Sequence, residues 1–257
     1  MPFDINGNIF NNFDAKLHNS TSVIRDGLIC YLDAANAESY GGSGSTWTDL
    51  TGNGYNGTIN GSVTFSTANG GVFTFPGSVG STIDVTLNMS GTNFTVIGAS
   101  RYVTAVANTH TNGQGGRMIS AKSNNWLMGQ WYGYTENFYS EGWVSDAGVG
   151  ATDTNWRVYT STGNISSDVY SMYVNGNLTY QNSSGSQGPN GFTIGAYGPG
   201  GTEYANGQLG FLMVYNRVLS ATEVRQMYQV FRPRYERYFD CGYGCQLYNY
   251  DPGCTPC

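Results

Sequence analysis

Three groups of side chains in this sequence have the types and spacing to do chemistry. Four cysteines close the chain as Cys241-x3-Cys245-x8-Cys254-x2-Cys257, on either side of the turn signal Asn249-Tyr250-Asp251-Pro252-Gly253. Folding about that turn sets Cys245 opposite Cys254 and Cys241 opposite Cys257, which makes nested disulfides geometrically feasible. The same convergence would gather four thiolates around a tetrahedral zinc ion. The stretch between the pairs is short for two zinc knuckles and the first spacing is unusual for one. Disulfides therefore stand first, zinc second and free thiols third. Cys30, within an apolar run, reads as a buried thiol that behaves as a small hydrophobe.

The second group is Asp49, Asn53 and Asn56, set among glycines. A carboxylate, two amides and freed backbone carbonyls are oxygen ligands suited to calcium. The competing reading is a loop that closes on its own hydrogen bonds, and it stands ahead of the metal. The third group is aromatic: Trp126, Trp131, Tyr132, Tyr134 and Trp143, with Phe138 and Tyr139 between them. Such rings give stacking platforms for sugars when exposed and core filler when buried. As a group the tryptophans read as core, with one or two exposed members as ligand contacts. Catalytic signals are sparse. His18 and His110 have no neighbouring nucleophile in a recognisable motif, and there is no P-loop, G-x-S-x-G or H-E-x-x-H. Glu136 and Glu141 lie close in sequence, and Glu203 with Asp168 is a carboxylate pair that only the fold could assemble at glycosidase spacing.

These residues need a frame, and the frame reads as β. Leu209, Phe211, Met213 and Tyr215 alternate, as in a strand with one buried face. Ser220 and Glu223 then form a capping box, and Val224, Met227, Tyr228 and Phe231 follow at helical spacing up to Pro233, which is expected to end the helix. Nine Asn-Gly pairs supply hairpin turns. Many short strands between such turns predict an all-β sandwich, with Trp47, Phe73, Phe75, Phe211 and Tyr215 inside. A chain of 257 residues suffices for a sizeable core.

The order of the pieces resembles the laminin-G-like, concanavalin-A-like jelly rolls. Gly27-Leu28-Ile29-Cys30-Tyr31-Leu32-Asp33-Ala34 is similar to the family's opening strand. The run from Trp47 to Thr58 resembles its W-x-D-x-S/T-G-N-G-x-N-G-T loop, and Val72-Phe73-Thr74-Phe75 its next core strand. Tyr173-Val174-Asn175-Gly176 resembles its hairpin, with Trp156 upstream, and Asn216-Arg217-Val218-Leu219-Ser220 its closing signature. The resemblance covers about residues 25–231. It implies a two-sheet antiparallel jelly-roll sandwich with one short C-terminal helix and a small cysteine-containing tail. It also implies binding or adhesion, with calcium in some relatives. Glycosidases of this fold carry an E-x-D-x-E or E-x-D-x-x-E strand, and this chain has neither.

The organisation expected is an N-terminal arm over 1–26, the sandwich over 27–231 and a Tyr/Cys-rich tail over 232–257. The net charge of −6 and the lack of a basic cluster disfavour nucleic acid. No apolar run approaches the roughly 20 residues that span a bilayer, and the N-terminus lacks the basic and apolar regions of a secretory signal. Cytoplasmic folding keeps thiols reduced, and release in a particle into oxidising water would reconcile that with disulfides. A single laminin-G-like domain with an N-terminal arm and a short extra C-terminal module resembles virion proteins of tailed bacteriophages, and that resemblance implies a non-catalytic structural and adhesion protein decorating capsid or tail, folded in the host cytoplasm. It would be a homo-oligomer that meets other virion proteins through its arm and tail and binds host-surface glycans, with no firm cofactor. The alternatives are a free bacterial lectin and, behind it, a glycosidase or lyase on the same fold.

Overall fold

The computed structural model describes residues 22–110, 113–198 and 201–235. The first 21 residues of the expected arm, and Cys241, Cys245, Cys254 and Cys257, lie outside the described residues. Among the described residues fifteen strands run in chain order: β1 (Leu28–Asp33), β2 (Thr46–Trp47), β3 (Gly57–Ile59), β4 (Thr64–Ser66), β5 (Val72–Pro76), β6 (Ile83–Asn88), β7 (Phe94–Tyr102) and β8 (Ile119–Ser120). They continue as β9 (Trp126–Trp131), β10 (Tyr134–Ser140), β11 (Arg157–Asn164), β12 (Val169–Val174), β13 (Asn177–Asn182), β14 (Asn190–Ile194) and β15 (Asn206–Tyr215). One helix, α1 (Ala221–Tyr235), follows.

The strands form two antiparallel sheets packed as a sandwich. One runs β13-β12-β11-β7-β15-β5-β4, with β1 also paired to β15; the other runs β10-β9-β8-β14-β6-β3-β2. Asn175 (φ 50°) and Gly176 (φ 75°) make the β12–β13 turn, both in the left-handed region that a tight two-residue hairpin requires. The expected core residues are inside: Trp47, Phe75, Phe211 and Tyr215 are 0% exposed and Phe73 is 1%.

The molecule has two apolar layers. Trp47, Phe73, Phe75, Trp126, Phe138 and Phe192 fill the space between the sheets. Ile97, Phe211, Met213 and Tyr215 fill a second layer under α1, against Val224, Met227 and Phe231. This corrects the expectation of a strand with one buried face. β15 is covered on both sides, because Leu212 and Val214 face the opposite sheet while Phe211, Met213 and Tyr215 meet the helix. A register shift between Leu209 and Phe211 turns Leu209 to the inter-sheet side.

The helix start follows its capping box. The Glu223 amide donates to Ser220 Oγ (3.3 Å) and the Ser220 amide to Glu223 Oε2 (2.8 Å). The helix end differs from expectation, since α1 runs through Pro233 to Tyr235. Pro233 costs only one hydrogen bond in the last turn. That turn is held by Arg234 Nη1 donating to both Asp33 oxygens (2.9 and 3.0 Å) and by Tyr235 packing on Trp156 and Phe211. Among the described residues no helix is long and apolar enough to cross a membrane.

Candidate functional site

The five aromatic candidates divide by strand register. Trp126 and Met128 point between the sheets, and Trp126 is 0% exposed, edge-on to Phe94, Phe138 and Phe192. Trp126 is thus a core residue and touches no surface ligand. Trp131 ends β9, and Tyr132 and Gly133 form the turn into β10. Both have positive φ, 57° and 86°, the geometry usually given to Asn-Gly. Trp131, Tyr132 and Trp143 are half-buried and in contact. Trp131 stacks on Tyr132 (5.2 Å between centroids, 27°) and meets Trp143 at 5.0 Å, which in turn meets Tyr139 edge-on at 5.0 Å. Tyr134 stands apart in hydrogen bonding, its hydroxyl donating to Asn108 Oδ1 at 3.4 Å.

Trp143 also forms one wall of a cleft of about 590 Å³ at the open edge of the sandwich. The opposite wall is the edge strand β13, with Thr179, Tyr180, Gln181 and Asn182; Asp146 lines it from the loop after Trp143. Among the described residues no Lys, Arg or His lines the cleft. Burial first, then the nearby charges of Glu136 and Asp146, push the Tyr180 phenol above its ordinary value. Its hydroxyl therefore stays protonated and able to donate. The Asn182 amide is turned to the Val144 carbonyl (2.9 Å), which ties β13 to the Trp143 loop.

A polar clamp lies behind the aromatic strip. Glu203 Oε2 accepts from Arg117 Nε (2.6 Å) and from Trp131 Nε1 (3.1 Å). Arg117, only 6% exposed, also donates to Asn125 Oδ1 (2.7 Å) and lies over the Tyr197 ring at 4.2 Å. The Asn125 amide donates to Glu141 Oε1 (2.7 Å). Glu203 and Glu141 are thus engaged by protein donors, and Asp168 sits in the β11–β12 turn rather than with Glu203 in one element. Sequence reasoning missed Arg117, Asn125 and Tyr197 because no motif joins them. The one available signal was a lone arginine in a chain with 11% charged residues.

The Asp49 loop spends on itself the oxygens that calcium would need. Oδ1 accepts from the amides of Tyr31 (2.9 Å) and Thr51 (3.0 Å); Oδ2 accepts from Thr51 Oγ1 (2.7 Å) and the Tyr55 amide (3.2 Å). Asn56 Oδ1 accepts from the Asp49 amide (2.8 Å), and Asn53 Nδ2 donates to the Ile29 carbonyl (2.9 Å). Asp49 is 4% exposed. These bonds are those of the self-closing loop, the reading that stood ahead of calcium at Asp49, Asn53 and Asn56. Among the described residues no group of three or more His, Cys, Asp or Glu side chains could hold a metal ion. Cys30 is a buried free thiol, its pKa raised by burial and by Asp49.

Residues 94–225 match the family model described as the concanavalin A-like lectin/glucanases superfamily. No curated protein sequence matches the chain. Among solved structures the chain is similar to the binding domain of Paraclostridial mosquitocidal protein 1 (17% identity, TM-score 0.57, 79% of this chain and 52% of that one). It is also similar to domain 4 of AbnA, a GH43 extracellular arabinanase from Geobacillus stearothermophilus, in complex with arabinotriose (18%, 0.57, 79% and 98%). A third is the Trypanosoma rangeli sialidase in complex with sialic acid (15%, 0.54, 80% and 33%). The chain spans about half the length of the toxin binding domain and nearly all of the arabinanase domain. At these identities the likeness establishes the shared fold.

Proposed function

Because the chain belongs to the concanavalin A-like lectin/glucanases superfamily, we propose that it is a non-catalytic carbohydrate-binding protein whose site is the Trp143 cleft. One observation carries this reading: Trp143 is at once part of a half-exposed aromatic strip and a wall of a cleft lined by hydroxyls and amides. Sugars are recognised by that combination, an apolar ring face for their C–H surface and polar groups for their hydroxyls. With Asp146 as the one carboxylate and no cation among the described residues that line it, the cleft suits neutral rather than anionic sugars. The similarity in fold to a domain solved with arabinotriose is in keeping with this. A non-catalytic role is supported by the lining of the cleft, which among the described residues includes a single carboxylate, Asp146, since glycoside hydrolysis needs two carboxyl groups flanking the scissile bond.

The finer proposal is a decoration protein of a tailed-phage particle, assembled through the 1–26 arm and the 232–257 tail. It rests on the sequence pattern. Many copies on one particle would raise avidity by about 10²–10⁴-fold. Deleting residues 1–20 should then leave a folded monomer that no longer assembles.

The test of the binding reading is retention on immobilised neutral polysaccharides, with released sugars followed over time. Retention without new reducing ends, lost in Trp143→Ala, is the expected result. Absence of retention would remove the glycan-binding reading. Reducing ends that accumulate and vanish on Glu136→Gln or Glu141→Gln would make the protein an enzyme.

A further inference from the structure

We propose that Glu203 is the positioning residue of this site: its carboxylate fixes the indole of Trp131 and, through it, the face that Trp143 turns to the cleft. The proposal rests on reading the Trp143 cleft as a glycan site, but its geometry stands independently. A tryptophan at the end of a strand, half exposed, has a soft rotation about its side-chain bonds. Here that rotation is stopped from two sides. Tyr132 stacks on one face of Trp131 (5.2 Å), and Trp131 Nε1 donates a hydrogen bond to Glu203 Oε2 (3.1 Å). Glu203 is itself immobile, because the same oxygen is held by Arg117 Nε at 2.6 Å and its side chain is 16% exposed. The Arg117 amide also donates to the Glu203 carbonyl (3.0 Å).

A second observation converges on the same place. Seven non-glycine residues among those described have positive φ, and four are Asn or Asp, which tolerate it. The other three are Tyr132, Glu141 and Glu203. Tyr132 stacks on Trp131, Glu203 binds Trp131, and Glu141 holds the Asn125 amide whose side chain meets Arg117. Every unusual backbone conformation outside the Asn and Asp set therefore serves one network. Such strain persists where surrounding structure over-determines it, typically at functional sites. The clamp orders the aromatic strip before a ligand arrives, so binding does not have to pay for it.

Two indoles in contact at 5.0 Å give an exciton couplet in circular dichroism, which reports their mutual orientation without any ligand. Trp131→Phe and Trp143→Phe define the spectrum without it. Glu203→Ala should lose the couplet and weaken binding of neutral trisaccharides (arabinotriose, xylotriose and maltotriose as probes) about tenfold. Glu203→Gln keeps an acceptor oxygen for Trp131 and should retain the couplet, with affinity within about threefold. Should Glu203→Ala fail to fold because Arg117 is left buried and unpaired, the double variant Arg117→Met/Glu203→Leu replaces the pair with apolar groups of similar size. It should fold and still lose the couplet. A folded variant without an acceptor at residue 203 that keeps both couplet and affinity overturns the proposal. If the intact chain binds none of the trisaccharides, the glycan reading fails, and the couplet alone decides whether Glu203 positions Trp131.

Discussion

The Asp49 loop and the Trp143 cleft are opposites. The loop carries the denser sequence signal, a run of carboxylate, amides and glycines, and its polar atoms are turned inward: four protein donors meet the two Asp49 oxygens. The cleft has no sequence motif at all, and its side chains are assembled from a loop and an edge strand far apart in the chain. In the loop, polar groups satisfy one another and rigidify the fold. In the cleft, Trp143 stays half exposed and is backed by Trp131, whose indole is bonded to the Arg117-held Glu203. The cleft's amides are partly spent on the protein as well, Gln181 on Ser171 and Asn182 on Val144, so what sets the cleft apart is the half-exposed ring of Trp143 on its wall.

The strongest way to break this comparison is Asp49→Ala. It leaves the amides of Tyr31, Thr51 and Tyr55 without their acceptor in a buried place, so the loss should be at least about 3 kcal/mol, read by urea denaturation. Trisaccharide binding by the fraction that stays folded should be unchanged. Calcium should not raise the Tm of the intact chain, since a ligand of the folded state would do so. A calcium-dependent rise would return the loop to the functional side of the comparison. Trp143→Ala should behave in the reverse way. Its binding should fall about tenfold or more, roughly 1.4 kcal/mol, while a half-buried ring gives up less stability than Asp49.

The fold was largely legible in the sequence because its signals are local. Ser220 and Glu223 cap α1, Asn175-Gly176 turns β12 into β13, and Phe211, Met213 and Tyr215 of β15 share one face as alternation demands. The misreadings came where tertiary packing overrides a local rule. α1 passes Pro233 because Arg234 and Tyr235 have partners on β1 and β15 and beside β11. β15 is buried twice because a helix roofs its second face. The site was less legible. Aromatic composition alone could not separate Trp126, inside the sandwich, from Trp131 and Trp143 at its edge. That division depends on register, which a two-residue turn at Tyr132-Gly133 sets. Glu203 and Arg117 are 86 residues apart, and nothing in either neighbourhood announces the other.

The smallest effect concerns a third carboxylate, Glu223, which is held by protein donors as Asp49 is but lies nearer the surface. Arg217 donates to both of its oxygens (3.1 and 2.6 Å), and the Ser220 amide and hydroxyl donate to Oε2. The Arg217 hydrogen bonds, followed by those from Ser220, outweigh burial and bring its pKa from the ordinary 4.5 down to about 2. A depressed folded-state pKa contributes stability that is present above the unfolded value and is lost as pH falls through the folded one. Both partners are 28% exposed, so solvent screening reduces the contribution to about 1 kcal/mol at neutral pH. Glu223→Gln can still accept from Ser220 but loses the ion pair, and should be about 1 kcal/mol less stable at pH 7. The two stability curves should converge as pH falls from about 4.5 towards 2, and the gap at pH 7 should shrink in high salt. Equal losses for Glu223→Gln and Asp49→Ala would mean that the number of donors, and not burial, sets what an internally satisfied carboxylate contributes. A gap that persists unchanged to pH 2 would remove the ion pair from the account and leave the helix cap alone to explain it.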